Sequence, residues 1–171
     1  MIPHCVKPVM EELSILGLRV QSMPHVSGRE FGVTAEYEYL TVCTTTTHDM
    51  PTLRGWWAED RKRAQRYYKD MLARKGEAPA ELTPAVASEI ISQHLASPSM
   101  WAIFPVQDIF AMNDALKRPG DPVEERINRP SDPDNYWKFR LHVALEELIE
   151  MKDFNSKVRK MVGSSGRHGA Y

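Results

Sequence analysis

Cysteine is scarce in this sequence: Cys5 and Cys43 are the only two, far apart and in no CxxC pattern. That argues against a disulfide framework and fits a reducing, cytosolic compartment. Long apolar runs are missing too. None approaches the roughly 20 residues of a membrane span, and the opening MIPHCVKPVMEEL has none of the layout of a signal peptide. Excess charge of one sign is also absent. The formal net charge is −1, so no overall field draws the chain to nucleic acid or to an anionic membrane. The six histidines show no HxH or HExxH spacing, so no metal site is expected. There is no internal repeat and no low-complexity segment. What is present is ordinary for one globular unit: 171 residues, 42% apolar and 26% charged.

The order of elements is more informative. Val6, Val9, Met10 and Leu13 recur at helical spacing and predict a helix ending before Gly17. GLRVQSM then reads as a short buried strand, and residues 24–39 as a loop. LTVCTTTT, residues 40–47, is rich in β-branched residues and predicts a second strand that stops at His48-Asp49. Helix formers run from Leu53 to about Lys75, with Gly76 as a cap. Thr83-Pro84 opens another helix, through Leu95, with Thr at the N-cap and Pro in the first turn. A third strand at about 101–106 ends at Gln107-Asp108. Residues 117–135, rich in proline and charge, read as a long loop. Helices follow at about 135–151 and 153–162, and GSSGRHGAY as a flexible tail.

Strands alternating with helices predict an α/β fold with a parallel sheet. In such folds ligands bind at the carboxyl ends of strands, which is where THD and QD fall. Three strands, however, leave two open edges and an uncovered face, whereas a closed barrel of this kind needs eight strands and about 250 residues. The chain therefore reads as part of something larger.

Four stretches, in order, carry a resemblance: IPHCVKPVMEELSILGLRV, THDMPTLRGWW, SPSMWAIFPVQD and ERINRPSDPDNYWKFRLH. THDMPTLRGWW resembles the signature loop of the amylomaltases, or 4-α-glucanotransferases. Its pairing with NYWKFRLH resembles the branch that includes the plant cytosolic enzyme. The resemblance implies a retaining glucanotransferase on a (β/α)8 barrel, acting on malto-oligosaccharides or maltose without a cofactor. It implies that this chain is the C-terminal part of that barrel, incomplete by itself, with residues 1–163 in the barrel and 164–171 a flexible tail. The family's third carboxylate, which binds sugar hydroxyls and steadies the transition state, matches Asp49, and the His beside it matches His48. The family's Asn near the donor sugar matches Asn128. The Asp nucleophile and Glu acid/base have no match: the acid/base falls just before the segment matching Ile2-Pro3, and the nucleophile further upstream. The chain alone is accordingly expected to be inactive.

Each candidate also has a plain structural reading. Without the resemblance Asp49 would be a helix cap and Asn128 a turn residue. Arg54 either contacts a hydroxyl or makes a salt bridge. Trp56 offers a flat face to a sugar ring unless it is core, and one of Trp56 and Trp57 is expected in the core. Gln107 and Asp108 either reach the site or anchor a loop. Tyr136 and Trp137 read as core. RKRAQRYYK reads as a solvated helix face, with no nucleic acid as partner. The other function class that fits is a non-catalytic carbohydrate-binding or interaction module. Expected partners are malto-oligosaccharides and the N-terminal remainder of the barrel. Without that remainder, the exposed edges and apolar face are expected to be buried by self-association or against rearranged segments of the chain, such as residues 24–39 or the C-terminal helices.

Overall fold

The structure is a computed structural model that describes residues 4–167. Its sheet has three parallel strands in the order β1 (Gly17–Val20), β2 (Thr41–Thr44), β3 (Trp101–Ala102). Helix α1 (Val6–Glu12) precedes β1. Helices α2 (Leu53–Glu59), α3 (Arg61–Asp70) and α4 (Pro84–Leu95) carry the crossover from β2 to β3. Beyond β3 come α5 (Val106–Phe110), α6 (Leu145–Glu150) and α7 (Lys152–Ser164). Short 3-10 turns lie at Thr34–Glu36 and Pro122–Glu125.

Local chemistry explains where elements start and stop. Thr83 accepts from Val86 N and Pro84 opens α4, as the sequence predicts. The helix expected from Leu53 to Lys75 is instead two. Asp60 adopts an extended backbone (φ −141°, ψ 103°), and its carboxylate accepts from Lys62 N and Arg63 N, which starts α3 afresh. α3 then stops at Asp70, short of Gly76. Gln65 bonds Gly76 O and Ala78 N and folds the following segment back over the helix. The third strand is also shorter than expected. Pro105 has no N–H for a ladder and serves as N-cap of α5, so Gln107 and Asp108 sit on a helix. Residues 135–144 are not helical: Arg118 holds them from across the loop, over the Phe139 ring and on Arg140 O. The expected flexible tail is tied down as far as Arg167, whose guanidinium donates to the carbonyls of Leu95, Ser97, Ser99 and Met100. Residues 168–171 lie outside the described residues.

The two faces of the sheet differ. Residues paired in register share a face. On one face Cys43 is fully buried, its Sγ 3.2 Å from Ser97 Oγ at the end of α4. Below it the core runs through Trp56, Trp57, Tyr67, Ile90, Ile91 and Phe110. On the other face Leu18, Val42 and Trp101 line up across the strands. The two ends of that row stand open, Leu18 57% and Trp101 56% exposed, with Val42 half-buried between them. Strand β1, expected to be buried, is thus buried only at its end, at Val20 and the following Gln21.

Candidate functional site

The stretch Thr44–Trp57 leaves β2 at its carboxyl end and is pinned at both ends. Thr45 and Thr46 donate their hydroxyls to Asp108 Oδ2, at 2.5 and 2.6 Å. Asp108 Oδ1 accepts from Leu53 N, at 2.7 Å, in the first turn of α2. One carboxylate therefore closes the loop on itself. Asp108 is fully buried. Burial raises its pKa, against the three hydrogen bonds that favour the charged form. At the next step Thr52 caps α2 by accepting from Gly55 N and donates to Glu125 Oε2 at 2.9 Å. Glu125, buried, also takes the guanidinium of Arg54.

With its ends fixed, the loop projects its middle. His48 and Asp49 stand about half exposed, their side chains 3.3 Å apart. The loop after Pro122–Glu125 comes across to meet them. Asn128 N donates to His48 O at 3.0 Å, and Asn128 Nδ2 to Asp49 Oδ1 at 2.7 Å. Arg126 bridges the two loops, donating to Asn128 O and Asp49 O. Asn135 Nδ2 donates to Asn128 Oδ1 at 3.0 Å. The Trp137 ring lies 4.9 Å from the His48 ring, tilted by 43°. Among the described residues Asp49 Oδ2 accepts no hydrogen bond, so an acceptor faces outward beside an imidazole and a primary amide. Such a set can take the vicinal hydroxyls of a sugar ring. Among the described residues no three His, Cys, Asp or Glu side chains gather as a metal site requires, and no helix is long and apolar enough to cross a membrane.

The seven residues singled out in the sequence thus divide. His48, Asp49 and Asn128 converge. Trp56, 5% exposed, offers no face to a ligand: it packs edge-on against Phe31 and Tyr67, with the Arg63 guanidinium over its ring. Trp57 is buried too, so both indoles are core rather than one. Arg54 is engaged with Glu125 and Arg118 O. Asp108 is the internal tie described above, and Gln107 is buried, its amide toward Glu125 O. Tyr136 and Trp137, expected in the core, are exposed. Asn135, Trp137 and Arg126 join the site without having been singled out. Their one signal in the sequence is membership of the same motif as Asn128.

Comparison with known proteins bears on all of this. A family model described as 4-alpha-glucanotransferase matches residues 1–146. The 4-alpha-glucanotransferase DPE2 of Oryza sativa subsp. japonica is 48% identical over 168 residues, which is 98% of this chain and 18% of the rice protein. The 4-alpha-glucanotransferase of Chlamydia pneumoniae is 30% identical over 94% of this chain and 30% of its own length. The fold matches that of an amylomaltase from Streptococcus agalactiae, solved in complex with acarbose, at a TM-score of 0.72 and 16% identity, over 99% of this chain and 31% of that one. The chain spans less than a third of each of these relatives.

Proposed function

Because the chain belongs to the 4-alpha-glucanotransferase family, we propose that it is the C-terminal part of such an enzyme's (β/α)8 barrel and carries the carboxylate that steadies its transition state. Asp49 is that carboxylate. The carrying observation is the convergence of Asp49, His48 and Asn128 at the carboxyl end of β2, with Asp49 Oδ2 open. The row Leu18, Val42, Trp101, exposed at both ends, supports the barrel reading, as the inner face that further strands would cover. An isolated chain buries that row against another copy of itself. The unpaired Cys5 and Cys43 support a cytosolic setting.

The reaction passes a glucan from an α-1,4-linked donor to a sugar 4-hydroxyl. An Asp from the rest of the polypeptide attacks the anomeric carbon while a Glu protonates the departing oxygen. The resulting glycosyl-enzyme is then opened by the acceptor hydroxyl, which gives its proton to the same Glu. The share of this chain is to hold the donor ring. Asp49 and His48 grip adjacent hydroxyls, and those hydrogen bonds tighten as positive charge grows on the ring. The isolated chain, without the attacking Asp and the Glu, is inactive. The test is Asp49→Asn in the full-length enzyme, assayed by disproportionation of maltotriose. We expect kcat to fall by orders of magnitude, with KM changed only a few-fold. Activity within a factor of three of the unaltered enzyme would overturn the assignment.

A further inference from the structure

Asn128 touches Asp49 through a group that could point either way. A primary amide has a donor end and an acceptor end of nearly the same shape. Only the donor end suits Asp49: an ionised carboxylate accepts and cannot donate. Whatever touches the far end of the Asn128 amide therefore decides whether its near end is useful.

That far contact is Asn135. Its Nδ2 lies 3.0 Å from Asn128 Oδ1, while Asn128 Nδ2 lies 2.7 Å from Asp49 Oδ1. The orientations follow in sequence. Asp49 demands the amino group of Asn128, which leaves the Asn128 oxygen outward, and that oxygen demands the amino group of Asn135. The backbone is built to hold the pair. Asp132 N bonds Arg129 O, Asn135 N bonds Asp132 O, and Asp134 N bonds the Asp132 carboxylate. These turns bring the chain back over itself so that residue 135 sits against residue 128. The main chain of Asn128 is fixed separately, by its N–H on His48 O and by Arg126 on its carbonyl. The side-chain amide is the one part of Asn128 left to rotate, and it is held from both ends, by Asp49 on its amino group and by Asn135 on its oxygen.

We propose that Asn135 is a positioning residue of the glucanotransferase site, fixing the Asn128 amide so that it always donates to Asp49. It touches no substrate itself. The inference rests on the reading of Asp49 given above.

The test uses the full-length enzyme and the order of two substitutions. Asn135→Asp keeps the shape but can only accept when ionised. It competes with Asp49 for the amino group of Asn128, and whenever the amide turns toward residue 135 an oxygen is set against Asp49. Asn135→Ala removes the restraint and leaves space for water. Maltotriose disproportionation should show kcat reduced about tenfold by Asn135→Ala, the order of one lost hydrogen bond. Asn135→Asp should reduce it about a hundredfold, with KM within threefold for both. A residue with a merely structural role predicts the reverse order, because the isosteric change disturbs packing less. Asn135→Asp as active as Asn135→Ala, or more so, overturns the proposal, and so does a change confined to KM. If Asn135→Asp fails to fold, as thermal melting would show, Asn135→Ala decides: an unchanged kcat overturns the proposal and a tenfold loss at constant KM supports it. Asp49→Asn, run in parallel, separates the two readings, because an active Asp49→Asn enzyme rejects the site itself.

Discussion

Asp49 and Asp108 follow neighbouring strands of one sheet, the first within the Thr44–Trp57 loop and the second bonded to it, yet their surroundings differ sharply. Asp108 is fully buried, and its two oxygens take up two threonine hydroxyls and one backbone N–H of the Thr44–Trp57 stretch. Asp49 is half exposed, with one oxygen on Asn128 and the other open. A carboxylate whose acceptor capacity is filled by the protein can only hold the protein together. One with capacity left over can hold something else. The Asp108 side makes the loop rigid, and the Asp49 side uses that rigidity to present an acceptor in a fixed place.

Removing the buried carboxylate breaks this contrast from the interior side. Asp108→Ala leaves three donors without an acceptor and should destabilise the chain by about 4 kcal/mol, whereas Asp49→Ala should cost less than about 0.5 kcal/mol. Urea unfolding of the two variants checks both. Equal effects would mean that the two sides are not distinct.

Acid sharpens the contrast further. His94 is fully buried on the interior side, its Nδ1 2.8 Å from Ile90 O and its Nε2 without a hydrogen-bond partner among the described residues. Burial lowers its pKa to about 4. Since the unfolded His takes up a proton near pH 6.5 and the folded one does not, stability is fully present above pH 6.5 and is lost as pH falls toward 4. From pH 7 to 4.5 the unaltered chain should lose about 2–3 kcal/mol more than His94→Leu. Parallel slopes in urea unfolding at the two pH values would remove His94 as the cause.

The smallest effect belongs to the exposed side. Trp137 is 60% exposed and leans on the His48 ring. Trp137→Ala should change stability by no more than about 0.5 kcal/mol. A loss of several kcal/mol, read from the same unfolding curves, would place Trp137 in the core after all.

What the sequence made legible follows the same division. Local signals were readable: Thr83-Pro84 starts its helix where capping chemistry says, and the β-branched run from Thr41 is a strand. His48, Asp49 and Asn128 were singled out because their motifs resemble a known family, and the structure brings their side chains together. Asp60 interrupts a helical pattern through a cap that helix periodicity does not register. The burial of Asp108 and the Arg54–Glu125 pair were hidden, because each depends on partners more than 50 residues away. A strand-end Asp that binds ligand and one that ties a loop look alike until such partners are in place. Asn135 was hidden for a subtler reason, since its effect passes through another side chain.

The long reach of these contacts also orders events in time. A chain is made from its N-terminus, and Thr45 and Thr46 must wait for Asp108, while Asp49 must wait for Asn128, 79 positions later. At ribosomal speeds of 5–20 residues per second that wait is roughly 4–16 s. Throughout it α2 and α3, adjacent in sequence and packed on each other, can already form. The loop that carries Asp49 is fastened only once Asn128 has been made, so during biosynthesis this corner takes shape well after the strand that leads into it.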